Sequence, residues 1–285
     1  MSIIRPSQLF KITAFSFFIC VGNSVPCFAD QQSIPPAKAI EFEGDLAFTP
    51  KPLTLKGYLR RPDRAGRYPA IVLLHGCGGS AERLDQRWGK TLASWGHVTL
   101  TIDSFGPRGI ENTCGNYPPR DLRFDAYRGL NFLVRQPFVD AKRIVAIGFS
   151  LGGWLALFSV ERGAIEQLYE NKFRAAVAYY PVCDALKGIA TVPSLILIGE
   201  RDAFTPGCRD MVDGRSSDFG MSRTPGEGSA IRLVVYPEAY RGFDNPRFKT
   251  PVEYLGYHLE FNQSATDQSI ETLREFLRET VGGRQ

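Results

Sequence analysis

The tightest constraint in this sequence is a strand that must become a helix with almost no connecting loop. Residues 144–147 are Ile-Val-Ala-Ile, a continuous apolar run, and residues 151–161 carry a helix-period pattern. Only Gly148, Phe149 and Ser150 stand between them. So sharp a turn strains the backbone at its apex and forces the flanking backbones together, which Gly148 and Gly152 allow because they lack a Cβ. Ser150 stands at that apex. The helix beginning at Leu151 would aim its first N–H groups there, where developing negative charge is favoured. The pattern Gly148-Phe149-Ser150-Leu151-Gly152 therefore marks Ser150 as a candidate nucleophile.

The rest of the chain fits one architecture around this turn. Residues 70–74, 98–102, 175–178 and 195–198 are further apolar runs of the kind found in strands covered on both faces, hence in a parallel sheet. Helix-period segments fall between them at 81–95, 122–135 and near Asp210. A last strand at 231–236 precedes a closing helix at 265–280, whose Ile270, Leu273, Phe276 and Leu277 share one face. At the start, 40–43 and 53–59 alternate apolar and polar residues, as half-buried antiparallel strands do. The expectation is a doubly wound α/β domain, its mostly parallel sheet of about eight strands flanked by helices on both faces. Sites in such sheets lie at the carboxyl ends of the strands.

Of the 285 residues, the first 29 read differently. Arg5 and Lys11 precede or open a short apolar run at 12–22, and Cys27-Phe28-Ala29 ends the stretch with a small residue. This is the pattern of a secretory signal peptide, and the run is too short to span a bilayer. Residues 30–285 then form a single exported domain, periplasmic or extracellular. The whole chain has 34 basic and 30 acidic side chains. Loss of Arg5 and Lys11 brings it still nearer balance, which argues against nucleic acid as a partner and against a membrane surface once the signal is cleaved. Six cysteines are present, and Cys20 and Cys27 leave with the signal. Cys77, Cys114, Cys183 and Cys208 remain, an even set in an oxidising compartment that can pair in three ways. None of them stands at C-x-x-C spacing, which weighs against zinc. No metal or organic cofactor is implied.

Two further motifs fall at predicted strand ends. His75-Gly76-Cys77-Gly78-Gly79 follows the 70–74 run, and a glycine-rich turn there can offer the Cys77 N–H to an oxyanion, with Leu151 N–H as the second donor. His75 reads as a brace for this turn. Asp202, in Gly199-Glu200-Arg201-Asp202, follows Ser150 in the chain order expected of an acid that orients a histidine.

Taken together, Tyr68-Pro-Ala-Ile-Val-Leu-Leu-His-Gly76, Asp103-Ser-Phe-Gly-Pro-Arg-Gly109, Pro137-Phe-Val-Asp140, Gly148-Phe-Ser-Leu-Gly-Gly153, Gly199-Glu-Arg-Asp202 and Tyr236-Pro-Glu-Ala-Tyr240 resemble the dienelactone hydrolase family. The resemblance spans nearly the whole chain after the signal. It implies an α/β-hydrolase fold and hydrolysis of a small ester or lactone by a nucleophile–His–Asp triad. Ser150 stands where dienelactone hydrolases proper carry cysteine. The resemblance also implies the pairings Cys77–Cys114 and Cys183–Cys208, each stapling a loop at adjacent strand ends. A peptidase of the prolyl-oligopeptidase type shares the serine turn, but no propeller-like segment precedes the domain here.

One departure bears on mechanism. The family places its catalytic histidine in a motif like Tyr-Pro-Gly-Ala-x-His-Gly-Phe, whereas this chain reads Tyr236-Pro237-Glu238-Ala239-Tyr240-Arg241-Gly242-Phe243. A guanidinium does not give up its proton in a protein, so Arg241 is no general base. His75, His97 and His258 are the only histidines. His97 opens a strand at its amino end, away from the site, which leaves His258 as the candidate base. Arg241 and Arg108 are candidate binders of an anionic group. Two functions are therefore expected to compete: a serine hydrolase of small esters or lactones, and a catalytically impaired hydrolase fold that binds a small anionic ligand.

Overall fold

The computed structural model describes residues 36–44, 53–63, 65–215 and 226–282. The segment read as a signal peptide lies outside them. The eight-stranded sheet is built from β1 (Lys38–Glu43), β2 (Thr54–Arg60), β3 (Tyr68–Leu74), β4 (Val98–Asp103), β5 (Val139–Phe149), β6 (Ala175–Tyr179), β7 (Ser194–Gly199) and β8 (Ile231–Tyr236). Its order is β1-β2-β4-β3-β5-β6-β7-β8. The β1–β2 and β2–β4 pairs are antiparallel, and every later pair is parallel. This is the mostly parallel α/β-hydrolase sheet expected from the sequence.

The apolar runs explain why the central strands form. β3, β6 and β7 are buried at every position, which requires cover on both faces of the sheet. The cover comes from α1 (Ala81–Leu84), which continues through a π turn at Asp85–Gly89 into α2 (Lys90–Ser94), and from α3 (Asp125–Val134), α4 (Leu151–Phe158), α5 (Thr205–Val212) and α6 (Gln263–Val281). α4 packs on β5 and β6, α3 on β3 to β5, and α6 on β5 to β7. The alternating β1 and β2 sit at one edge, half exposed as their pattern requires. A second, two-stranded sheet is formed by β9 (Val252–Tyr254) and β10 (Tyr257–Leu259). Among the described residues, no helix is long and apolar enough to cross a membrane.

Both disulfides implied by the resemblance are present. Cys77–Cys114 and Cys183–Cys208 each hold their Cα atoms 4.9 Å apart. They close loops of 37 and 25 residues, which by loop-closure entropy stabilises the fold by about 3–4 kcal/mol apiece.

His97 lies at the amino end of β4, where it is 2% exposed. Its Nδ1 faces the Leu92 carbonyl at 3.3 Å, and Nε2 is buried with no hydrogen-bond partner among the described residues. Burial lowers its pKa from 6.5 to about 4. The unfolded chain then takes up a proton between these values while the native state does not. Stability is therefore full above pH 6.5 and falls as the pH drops toward 4, by about 3 kcal/mol from this residue. Urea unfolding at pH 7 and pH 4.5 measures it. His97→Asn, which keeps a donor for Leu92, should lose most of the difference; an unchanged difference would assign the acid sensitivity elsewhere.

Candidate active site

The turn after β5 has the geometry its sequence demands. Ser150 adopts φ 56°, ψ −115°, a strained conformation for a residue with a side chain. Its N–H donates to the Tyr179 carbonyl at 2.9 Å, and its own carbonyl accepts from Trp154 at 3.0 Å as α4 begins. A Cβ on Gly148 would lie 1.9 Å from the Gly152 carbonyl oxygen, and one on Gly152 would lie 2.1 Å from that of Leu74. Neither position admits any other residue without moving backbone, so the two glycines are what lets Ser150 stand at the carboxyl edge.

The turn after β3 packs directly against it. The Cβ direction of Gly76 points at Ser150, whose Oγ would be 3.9 Å away. The Cys77 carbonyl accepts from Thr113 N–H at 2.9 Å, beside the Cys77–Cys114 bridge, so the turn is tied to the loop after β4 by a covalent and a hydrogen bond. His75 braces it from below. Its Nδ1 meets the Gly76 carbonyl at 2.8 Å and its Nε2 accepts from Ser104 N–H at 3.2 Å, which fixes a neutral ring with the proton on Nδ1. Burial lowers its pKa, in keeping with that neutral form.

The third element is the loop after β8. A Cβ on Gly199 would fall 2.2 Å from the Ala239 carbonyl oxygen; the bare glycine lets the β7 and β8 loops touch, and that contact brings Asp202 to Arg241. Asp202 is 3% exposed and Arg241 7% exposed. Arg241 Nη1 donates to both carboxylate oxygens of Asp202, at 3.2 and 3.1 Å, and Nη2 donates to Ser150 Oγ at 2.8 Å. The guanidinium thus occupies the bridging place that an imidazole holds in a triad. Burial raises the Asp202 carboxyl above its usual value, while Arg241 and the Phe204 N–H pull it down.

Two aromatic rings hold the guanidinium: its Cζ lies 4.8 Å from the Phe204 ring centroid and 5.6 Å from that of Tyr180. Tyr180 Oη donates to Asp244 Oδ1 at 2.6 Å, and Trp88 Nε1 donates to Asp244 Oδ2 at 2.8 Å, with Arg87 paired to the same carboxylate. Sequence reasoning missed Tyr180, Phe204 and Asp244. Their signal was positional: Tyr180 directly follows a buried strand, Phe204 stands two residues past Asp202, and Asp244 three past Arg241.

The other two candidates are placed elsewhere. His258 sits on β10 with Nδ1 on Glu253 Oε1 at 2.5 Å and Nε2 on Glu260 Oε2 at 2.8 Å. The Glu260 and Glu253 carboxylates raise its pKa. With both nitrogens so engaged, it is not brought to Ser150 or Asp202. Arg108, expected at the pocket mouth as an anion clamp, donates instead to Asp125, Asp121 and the Ser104 carbonyl. Its fork is committed to two carboxylates, so it tethers the loop after β4 and has little left for a ligand.

Among curated proteins, acylamino-acid-releasing enzyme 1 of Oryza sativa subsp. japonica is 24% identical over 225 residues, covering 63% of this chain and 28% of that protein. Dipeptidyl peptidase 8 of Homo sapiens is 29% identical over 159 residues, covering 52% of this chain and 17% of that protein. The chain spans less than a third of the length of either relative. Among solved structures, a dienelactone hydrolase from Anabaena variabilis superposes with a TM-score of 0.58 at 18% identity, covering 87% of this chain and all of that one. An esterase from Pyrobaculum calidifontis gives 0.61 at 16% identity, covering 88% of each chain. These likenesses establish the fold. A profile of the dienelactone hydrolase family matches residues 55–281, from β2 to the end of α6, and the chain belongs to that family.

Proposed function

We propose that this protein is an exported hydrolase of small carboxylic esters or lactones that acylates at Ser150 and deacylates slowly. The observation that carries this reading is the 2.8 Å bond from Arg241 Nη2 to Ser150 Oγ. A fixed cation at that distance favours the alkoxide over the hydroxyl, so the nucleophile is activated by charge rather than by a base. Hydroxide or water takes the Oγ proton, Oγ bonds to the carbonyl carbon, and the Cys77 and Leu151 amides receive the oxyanion. The C–O bond to the leaving alcohol then breaks, and solvent supplies its proton. The acyl-enzyme has no imidazole to activate the second water, so it accumulates. Export is supported by the 1–29 pattern and by two disulfides of the kind that persist in oxidising compartments.

A second reading, a binding site for a small anion without turnover, draws on the same guanidinium. One experiment separates them. Mixing the protein with a short nitrophenyl ester should release about one equivalent of nitrophenol in a burst, leave a protein heavier by the acyl group, and then turn over slowly. The burst rate should rise with hydroxide concentration, with no inflection in the histidine range. Ser150→Ala should show neither burst nor adduct. Identical traces from the two proteins would sink the hydrolase reading and leave anion binding.

A further inference from the structure

Six large apolar side chains are exposed among the described residues, and four of them, Val252, Tyr254, Leu255 and Tyr257, belong to the β9–β10 hairpin. Tyr254 and Tyr257 are direct cross-strand partners and so share one face. The turn between them has positive φ at both central residues, Leu255 (51°) and Gly256 (76°). Such a turn favours Asn-Gly, and leucine there is strained. That strain has a structural counterpart: the Leu255 side chain reaches across to Gly115, where an added Cβ would lie 3.1 Å from its Cδ1.

The anchors of the hairpin fix where it lies. Tyr254 Oη accepts from Asn112 Nδ2 at 3.1 Å, in the loop after β4. The Tyr257 ring sits 5.3 Å from that of Phe204, in the loop after β7. Leu259 pairs with Arg241, and Glu260 N–H donates to the Arg241 carbonyl at 3.3 Å. In the sheet order β4-β3-β5-β6-β7, Ser150 follows the middle strand. The hairpin is thus held in the loops after β4 and after β7, on either side of the strand that leads to Ser150, and Tyr257 connects through Phe204 and Arg241 to the Ser150 Oγ.

We propose that Tyr254 and Tyr257 form a ring-binding subsite, so that the ligand is a carboxylic ester, or its carboxylate, bearing an aryl group near the acyl carbon. This rests on the reading of Ser150 and Arg241 as the acyl-binding centre. The tyrosines are 40% and 37% exposed, which leaves ring surface for a planar group. Ring-on-ring contact adds to what apolar area alone provides, so an aryl group gains where an alkyl chain of similar reach does not.

The test is equilibrium binding by calorimetry to Ser150→Ala, which needs no turnover, with 3-phenylpropanoate and heptanoate, an alkyl chain of the same reach, as probes. Phenylpropanoate should bind about tenfold more tightly than heptanoate. Adding Tyr254→Ala and Tyr257→Ala together should abolish that ratio. Tyr254→Phe, which keeps the ring and drops the bond to Asn112, should retain the ratio. An unchanged ratio in the double replacement overturns the subsite, as does failure of either probe to bind. A shift in oligomeric state with no change in ratio also overturns it and assigns the patch to contact between copies. An aryl preference without any acyl burst in the unsubstituted protein would keep the subsite and reject the hydrolase. A burst without aryl preference would do the reverse.

Discussion

Arg241→His should raise ester turnover by about 10²–10⁴-fold, the usual worth of a positioned general base. The substitution places at position 241 the imidazole that the proposed hydrolase would use as its general base. Asp202 already lies within reach of position 241, through the contact of Gly199 with Ala239, and Ser150 lies on the other side of the same side chain. Loss of the histidine from a complete triad can cost about 10⁶ in turnover. The expected gain is smaller because imidazole is shorter than the guanidinium it replaces, and its Nε2 falls short of the place Arg241 Nη2 holds. The variant should differ in kind as well as rate. Its activity should follow a histidine-like inflection, and the acyl-enzyme burst should fade as deacylation speeds up. Steady-state ester hydrolysis against pH measures the inflection, and rapid-mixing release of nitrophenol measures the burst. An unchanged rate with unchanged pH dependence would show that the loops have drifted from a competent triad by more than one side chain.

Parts of this arrangement were legible in sequence for physical reasons. Unbroken apolar runs identify strands covered on both faces, and a strand–helix junction too short for a loop leaves one shape for Gly148 to Gly152. Arg241 was visible through its place in a family motif. The bonds it makes were not, because a guanidinium can turn to several partners and only the folded loops decide among them. Arg108 shows the same limit. A loop arginine at a pocket mouth suggests an anion clamp, but Asp121 and Asp125 reach it from a segment whose helical period concealed which way those acids face. The β9–β10 hairpin escaped notice because its residues bury no core face, so no apolar period marks them. Its turn, Leu255-Gly256, also lacks the usual Asn-Gly signature.

Asp125→Ala should destabilise the fold by about 3–5 kcal/mol, the cost of leaving a buried cation without its partner. Asp125 is fully buried at the start of α3 and accepts from Arg108 at 2.9 and 2.8 Å and from Arg128 at 2.9 Å. Asp121 meets the same two arginines from the outside. Two cations and two carboxylates balance; removing Asp125 leaves both guanidinium groups to a single acid, with Arg128 1% exposed. For a domain of this size the melting temperature should fall by about 10 °C. Asp121→Ala should cost less, since that carboxylate is 23% exposed and water replaces part of what it gives. The effect should also reach the site. Arg108 donates to the Ser104 carbonyl at 2.7 Å, Ser104 N–H holds His75 Nε2, and His75 Nδ1 holds the Gly76 carbonyl. Through that relay the ionic cluster holds the turn that carries Cys77, so on the proposed mechanism Asp125→Ala protein that remains folded should acylate more slowly than the unsubstituted protein. Equal acylation rates in the folded fraction would confine the cluster to stability and leave the Cys77 turn held by its disulfide and by the Thr113 N–H.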